Sequence, residues 1–355
     1  MNKVVKNIIK WSIIVISILL IMLIILLMIG GLFVNPNYLD PWDKRYHKIY
    51  QDPRLKLLSL GILAPSAHNI QHWQFKLDDQ DQNKILFFAN PERIAHNDPT
   101  HREMMISIGT LLEYVIIGAK KIGLGTELKL FPQGAIDEEN FKTSIAEVPV
   151  AEIKINNTPN LDRIELSDNL FIQDTNRYKY IMSPLSQSEI DYFNDQNDFE
   201  SLHLKFYSEP EQRLNIKELG LKGLAIVDGV PRLSNEAKSL TRLNERQKNK
   251  KPYGFSLETQ GIKNTFVKYF MQGVLTSMPF LSSNKMRAEH TQKNYQQLYS
   301  NTPTFMCIVC PVDKMNDRAV QVNCGRLYSR LILSGHSLKI GFHPMSSVIA
   351  DYPEA

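Results

Sequence analysis

Cysteine is scarce in this chain, with only Cys307, Cys310 and Cys324 among 355 residues. Three clustered thiols exclude a disulfide framework. Cys307 and Cys310 form a C-x-x-C in TFMCIVC, but the residues around them read as a buried strand, where positions three apart face opposite ways. Two small core residues are therefore expected rather than a redox pair. An excess of one charge is also missing: 41 Lys and Arg face 37 Asp and Glu, intermixed along most of the chain. A net charge of +4 leaves no footprint for a nucleic acid, and none is expected as a partner. Metal-ligand motifs are lacking as well. His68 and His72 lie four apart and His96 and His101 five apart, but no H-E-x-x-H accompanies them, and Pro65 and Asn69 disfavour a helix at the first pair. No metal site is expected.

The chain does have one long uncharged apolar run, 11–34, interrupted only by Ser12, Ser17, Gly30 and Gly31. At about 1.5 Å per residue it is long enough for a hydrocarbon core of roughly 30 Å. It exceeds the apolar region of about 7–15 residues in a signal peptide, and no A-x-A site follows, so an uncleaved transmembrane helix is expected. Lys3, Lys6 and Lys10 precede it without acidic neighbours, whereas Lys44, Arg45 and Lys48 mix with Asp40 and Asp43. This asymmetry places the N-terminus in the cytoplasm and the main domain outside it. Residues 1–10 read as a basic tail and 35–51 as a juxtamembrane linker, with Tyr38 and Trp42 suited to the interface.

The folded part begins at Asp52-Pro53, an N-cap with proline at the first helical position. A helix through Leu55, Leu58 and Ile62 leads to 64–75, APSAHNIQHWQF. This connection holds more hydrogen-bonding side chains than a turn needs, which marks it as a candidate site. Strands are expected at 74–77 and 84–89. The clearest helix of the soluble part follows, opened by Asp98-Pro99 or by a Thr100 box with Glu103, with Met105, Ile108, Leu112, Val115 and Ala119 at helical spacing. Further strands are expected at 151–155 and 203–207, and helices at 187–194, 209–219, 235–244 and 291–299. The basic run 242–251 reads as a solvated surface and 252–260 as a lid or excursion.

The central helix has an echo. REMMISIGTLLEYVIIGAKKIGLG from Arg102 matches RAVQVNCGRLYSRLILSGHSLKIG from Arg318, with Gly325 opposite Gly109 and Gly341 opposite Gly125, each 216 positions on. Each copy follows a strand-like segment. The expected architecture is α+β, in two duplicated halves, 52–165 and 166–355, forming an intramolecular pseudo-dimer behind one N-terminal transmembrane helix. Arg102 and Arg318 open helices, where a cation is unfavourable to the helix dipole. Pairing with an acid of the other half is expected of them.

APSAHNIQHWQF resembles the A-P-S-x-x-N-x-Q-P-W-x-F signature of the nitroreductase superfamily, and DPTHREMMISIGTLLEYVIIGAKKIGLG resembles the helix that follows it there. The duplicated layout, with TNRYKY at 175–180 and GFHPMSS at 341–347, looks like the single-chain Acg-type branch. The resemblance implies FMN held between the halves, with Ser66, His68, Asn69, Gln71, Gly125, Arg177, Pro344 and Ser346 as its candidate contacts. Amides such as Asn69 and Gln71 suit a ring edge that both donates and accepts, and Arg177 matches the family's phosphate-binding arginine. It further implies a monomeric pseudo-dimer that takes electrons from NAD(P)H or another donor and passes them to a quinone- or nitro-like acceptor. The flavin carries that chemistry and no protein catalytic residue is required. The alternatives are a flavin-binding or storage protein without turnover, and a degenerate repeat that only mediates interactions. Two departures bear on this. His72 replaces the family's proline, which is expected to loosen the turn before Trp73. Ala355 also follows closely on HPMSS, where relatives continue to a late basic residue, so a shortened form or an incomplete phosphate site is expected.

Overall fold

A computed structural model describes residues 3–173, 175–262 and 264–346. In chain order the elements are α1 (Lys3–Gly30), α2 (Pro53–Gly61), β1 (Trp73–Leu77), β2 (Lys84–Ala89), α3 (Arg102–Lys121), β3 (Gly125–Leu130), α4 (Phe141–Glu147), β4 (Ala151–Asn156), α5 (Gln187–Asn194), β5 (His203–Tyr207), α6 (Pro210–Gly229), α7 (Pro231–Ser239), α8 (Glu245–Lys250), α9 (Thr265–Ser277), α10 (Asn284–Ser300), β6 (Phe305–Val309) and α11 (Arg318–Ser337). They group into two compact units, 1–38 with 238–290, and 39–237 with 291–355. Residues 238–290, within the expected second half, thus fold with the N-terminal helix.

The larger unit is mixed α and β. Its main sheet runs β1-β2-β4-β3 and a second sheet pairs β5 with β6, all antiparallel. Alternation sets the register: Ile85, Phe87 and Ala89 of β2 are buried while their neighbours are half-exposed. That buried face meets Ile108, Leu111, Leu112 and Val115 of α3 in the largest apolar cluster, with Trp42 packed against it. Trp42 is thus a docking residue of the globular unit, and the expected linker contains 3-10 turns at Asn37–Trp42 and Tyr46–Ile49. Helix α11 covers the two-stranded sheet through Leu327 and Leu331, which meet Phe193 and Leu202. Cys310 and Cys324 pack against this second cluster, and burial pushes the Cys324 thiol up to about 12. All three cysteines are free.

Local signals explain the starts of the two central helices. At α11 the Asp317 carboxylate accepts from the amides of Ala319 and Val320. At α3 the expected Thr100 box does not form. His101 takes the N-cap position in a left-handed conformation, and the Asp98 carboxylate accepts from Met104 N at 2.8 Å. Asp98 reaches the first turn because the chain doubles back at His101, which sequence spacing does not reveal.

Helices α3 and α11 cross through two glycines. A Cβ at Gly109 would overlap the carbonyl oxygen of Val322, and one at Gly325 would overlap that of Ile106. The contact is reciprocal: each glycine faces a carbonyl three residues before the other, and both pairs of positions keep the 216-residue offset. Beside the crossing, buried Glu113 accepts from Arg326 Nε at 2.9 Å and Arg330 Nε at 2.6 Å, and Arg330 also reaches Asp198. Burial opposes the Glu113 charge, but the two guanidiniums outweigh it and hold its pKa below the usual value. Arg318 forms a bidentate pair with Glu138 (2.8 and 2.6 Å) and donates to Thr100 O.

In the smaller unit α1 has a mean hydropathy of 3.4 over its most apolar 18 residues; by length and composition it qualifies as a membrane span or a signal sequence. Its Leu23, Leu26, Leu27 and Gly30 form a half-buried to buried stripe at i, i+3, i+4, i+7. Helix α9 packs there, again through glycines: a Cβ at Gly30 would overlap Tyr269 O and one at Gly273 would overlap Leu26 O. The run 242–251, expected to be solvated, is so only in part: Arg246, Gln247, Lys250 and Lys251 are exposed, whereas four other residues turn into this unit's interior. Arg242, Asn244, Glu245 and Lys248 are buried, because Asn244 caps α8 and turns Glu245 and Lys248 inward. There the Glu245 carboxylate pairs with Lys248 (2.7 Å) and Lys268 (3.2 Å), and Glu258 pairs with the same two lysines.

Overpacking a close helix crossing costs about 1–3 kcal/mol. Gly109→Ala and Gly325→Ala should each lower the urea midpoint by an amount in that range, with the double variant less than additive. Gly229→Ala, where a Cβ would meet nothing within 4 Å, should be neutral. Equal stability of all three variants would exclude the crossing as a constraint.

Candidate functional site

The site is built from the connection between α2 and β1. Pro65 O accepts from Thr110 Oγ1, Ala67 N donates to Ser107 Oγ, and Ser66 Oγ accepts from Gln71 N at 2.9 Å. The connection is tightly wound: His68, Asn69 and Gln71 all have positive φ, between 50° and 56°. Asn tolerates that region, while His and Gln adopt it rarely. Such local strain persists only where surrounding contacts hold it. Arg93 supplies two of these contacts, donating to the carbonyls of Ile70 (3.0 Å) and Gln71 (2.8 Å). His72 supplies another. It is fully buried, its Nδ1 bonds to Arg93 O at 2.8 Å, and its carbonyl accepts from Asn90 N. The histidine therefore pins the turn before Trp73, where loosening was expected of it.

Opposite this loop stands the first turn of α3. Glu103, Ser107 and Thr110, spaced i, i+4, i+7, make a buried polar stripe on an otherwise apolar helix. Burial and the neighbouring Asp98 carboxylate raise the Glu103 pKa to about 8, against the pull of a hydrogen bond with Ser346 and of Arg102. Asp98 is itself raised, chiefly by burial. His68 Nε2 meets the Asn97 side chain, and burial lowers the pKa values of both His68 and His72 to about 4. Glu236 closes the segment from outside, accepting from His96 N and Asn97 N at 2.7 and 3.1 Å, while Arg232 donates to His96 O. Among the described residues, Asn97 Oδ1, His101 Nδ1 and Glu103 Oε2 are buried with no hydrogen-bond partner.

The later motifs join through backbone pairing. Thr175 bridges to Phe342, Asn176 N donates to Phe342 O at 2.6 Å, and His343 Nδ1 bonds to Asn176 O at 2.8 Å. Arg177 is half-buried beside His343, whose pKa burial lowers to about 4. Pro344 is exposed, and Ser346 reaches Glu103. Ser66, His68, Asn69 and Gln71 thus share one strained loop, Arg177, Pro344 and Ser346 share a second segment, and Ser346 lies near Glu103 of the helix that braces the first. Gly125 stands apart. It lies past the far end of α3, about 30 Å of helix from Glu103 by rise per residue. Its missing Cβ makes room for Asn156 and Thr158 O, so its visible role is close packing at the edge of β3. Position 347, the last of the GFHPMSS motif, lies outside the described residues. The sequence reading passed over Glu103 as a site residue and missed Asn97, Asp98, Ser107 and Arg93; the signal was the polar i, i+4, i+7 stripe within an apolar helix.

No family model matches the chain. Two proteins of Mycobacterium tuberculosis, from strains CDC 1551 / Oshkosh and H37Rv, provisionally named NAD(P)H nitroreductases, are each 27% identical over 77 residues. Those residues cover 21% of this chain and 22% of each relative, so the match spans about a fifth of the relatives' length. At this extent the similarity weakly supports an oxidoreductase of nitroreductase type.

A buried acid with a raised pKa loses stability as pH rises from its unfolded value to its folded one, because the folded state then holds the extra proton. Between about pH 7.5 and 8.5, where unfolded histidine has mostly lost its proton and the buried histidines no longer oppose the effect, the urea midpoint should fall with pH, and Glu103→Gln should flatten that slope. An unchanged slope in the variant would place the raised pKa elsewhere.

Proposed function

We propose that this chain is a membrane-anchored FMN oxidoreductase of nitroreductase type, passing electrons from NAD(P)H or another donor to a quinone- or nitro-like acceptor. The observation that carries the reading is the meeting of the 64–75 loop, the Glu103 end of α3 and the Arg177–Ser346 segment. The donor set suits a flavin. The ring edge carries carbonyls around an N–H, and the partnerless Asn97 Oδ1 can accept while a Glu103 carboxyl that remains largely protonated at neutral pH can donate. The Asn69 and Gln71 amides can do either, and Arg177 offers a fixed positive charge for a phosphate. Bound flavin supplies the redox chemistry itself. The protein's part is to hold the loop in its strained form, to exclude water around Glu103 and to keep the Glu103 proton in place.

The reciprocal crossing of α3 and α11 at the same sequence offset supports an internal duplication, although the sheets it joins have four strands and two. The anchor reading, over a cleaved leader, draws support from the packing of Leu23, Leu26 and Gly30 against α9. Removal of α1 would expose that face and leave Glu245, which lies against Gly31, open to water. The three lysines before the run support an N-terminus in the cytoplasm.

The purified full-length protein should be yellow, with flavin bands that NAD(P)H bleaches, and Asn69→Ala with Arg177→Ala should strip the FMN. Stoichiometric flavin in that double variant would move the site elsewhere, absence of flavin bands and of FMN uptake would refute a flavoprotein, and a bound flavin that NAD(P)H cannot bleach would indicate holding without turnover. A C-terminal reporter active only in the cytoplasm would reverse the orientation.

A further inference from the structure

Helix α9 and the turn after it make a second apolar surface beside the N-terminal helix. Because Gly30 faces Tyr269 O and Gly273 faces Leu26 O, α9 runs antiparallel to α1. Residues beyond Gly273 therefore lie alongside positions before Leu26, and the half-buried Leu23 continues the same stripe. Leu23 lies seven residues before Gly30, about 10 Å along the helix by rise per residue. Residues 274–281 consequently sit beside the apolar run rather than beyond its end.

The surface they present suits lipid. Phe266, Phe270, Met278 and Phe280 are 55%, 36%, 41% and 74% exposed, and the rings of Phe266 and Phe270 stack at 6.3 Å. The charges at this level are paired and half-buried to buried. Lys248, Lys268, Glu245 and Glu258 pair with one another, and Tyr38 closes over them with its ring 5.1 Å from Lys248 Nζ. The Gln272 amide, oriented to satisfy both ends, donates to Gly30 O at 2.6 Å and accepts from Lys248 at 3.0 Å. Two lysines and two carboxylates make a neutral plug at the end of α1, where unpaired charge would oppose contact with acyl chains, with one oxygen of each carboxylate left without a hydrogen-bond partner. Arg246, which reaches Met28 O, stands at the rim, where a long cationic side chain suits lipid headgroups.

We propose that α9 and the turn at Pro279–Ser282 are seated among the acyl chains beside α1, giving this protein a second membrane contact beside its span. The occupant of this face is the bilayer, because the face is continuous with the surface of α1. The inference rests on α1 crossing the membrane, and the test separates the two. Full-length protein is reconstituted in phosphatidylcholine–phosphatidylglycerol vesicles whose acyl chains carry bromine. Three chains are compared: the parent, Trp11→Phe, and Trp11→Phe with Phe280→Trp. Trp42 and Trp73 contribute a constant background. The fluorescence added by the Phe280→Trp substitution should be blue-shifted, lost in brominated vesicles and insensitive to iodide, and the Trp11 signal should be lost in brominated vesicles as well. An added signal quenched by iodide and unaffected by bromine, with Trp11 still quenched by bromine, would overturn the second contact and leave the span standing. Loss of bromine quenching at both positions would overturn the span and the inference together.

Discussion

The larger unit depends on one close approach, the crossing of α3 and α11 where two glycines let each backbone rest against the other's carbonyl oxygen. Dispersion acts only at contact distance, so removing two side chains there brings the flanking rows of both helices into register. That register sets Glu113 between Arg326 and Arg330, and it places Ser329 Oγ within 3.2 Å of Thr110 O. An ion pair so deeply buried contributes little net stability but is costly to break on one side. It therefore favours a single arrangement of the two helices. The sheets on either side, and the loop braced by Ser107 and Thr110, take their places from this pair.

The smaller unit uses the same device for a different end. Gly30 and Gly273 bring α1 and α9 together, and charged side chains read along the sequence as a surface run are turned inward and neutralised in pairs. An apolar helix that would otherwise stand alone thereby gains a folded partner along its last two turns.

At the candidate site the physical theme is desolvation. Burial lifts Glu103 and Asp98 and depresses His68 and His72, so that near neutral pH the histidines are uncharged and Glu103 largely keeps its proton. The residues that create this environment are Arg93, Asn97 and Glu236, which bond mainly to backbone or to one another and hold the loop closed. A ligand edge with mixed donors and acceptors meets such a site without first displacing a charge.

Periodicity and punctuation decide local structure, and here they were legible. The apolar run of α1, the Asp52-Pro53 start of α2, the alternation of β2 and the spacing within α3 and α11 all follow from side-chain pattern and cap chemistry. The offset between Gly109 and Gly325 was also visible as a repeat. What the pattern could not decide is which polar residues go inside, because burial of Glu103, Glu245 or Lys248 depends on partners that only the folded chain supplies. His72 shows the same limit: a replaced proline reads as a looser turn until Arg93, 21 residues on, offers its carbonyl. Helix α9 escaped notice because its glycine and polar positions are explained by α1, more than 230 residues earlier. The sequence alone determined where helices and strands begin and what resemblance the 64–75 loop carries. Only tertiary structure decided which charges are hidden, because desolvation is set by neighbours in space rather than by neighbours in the chain.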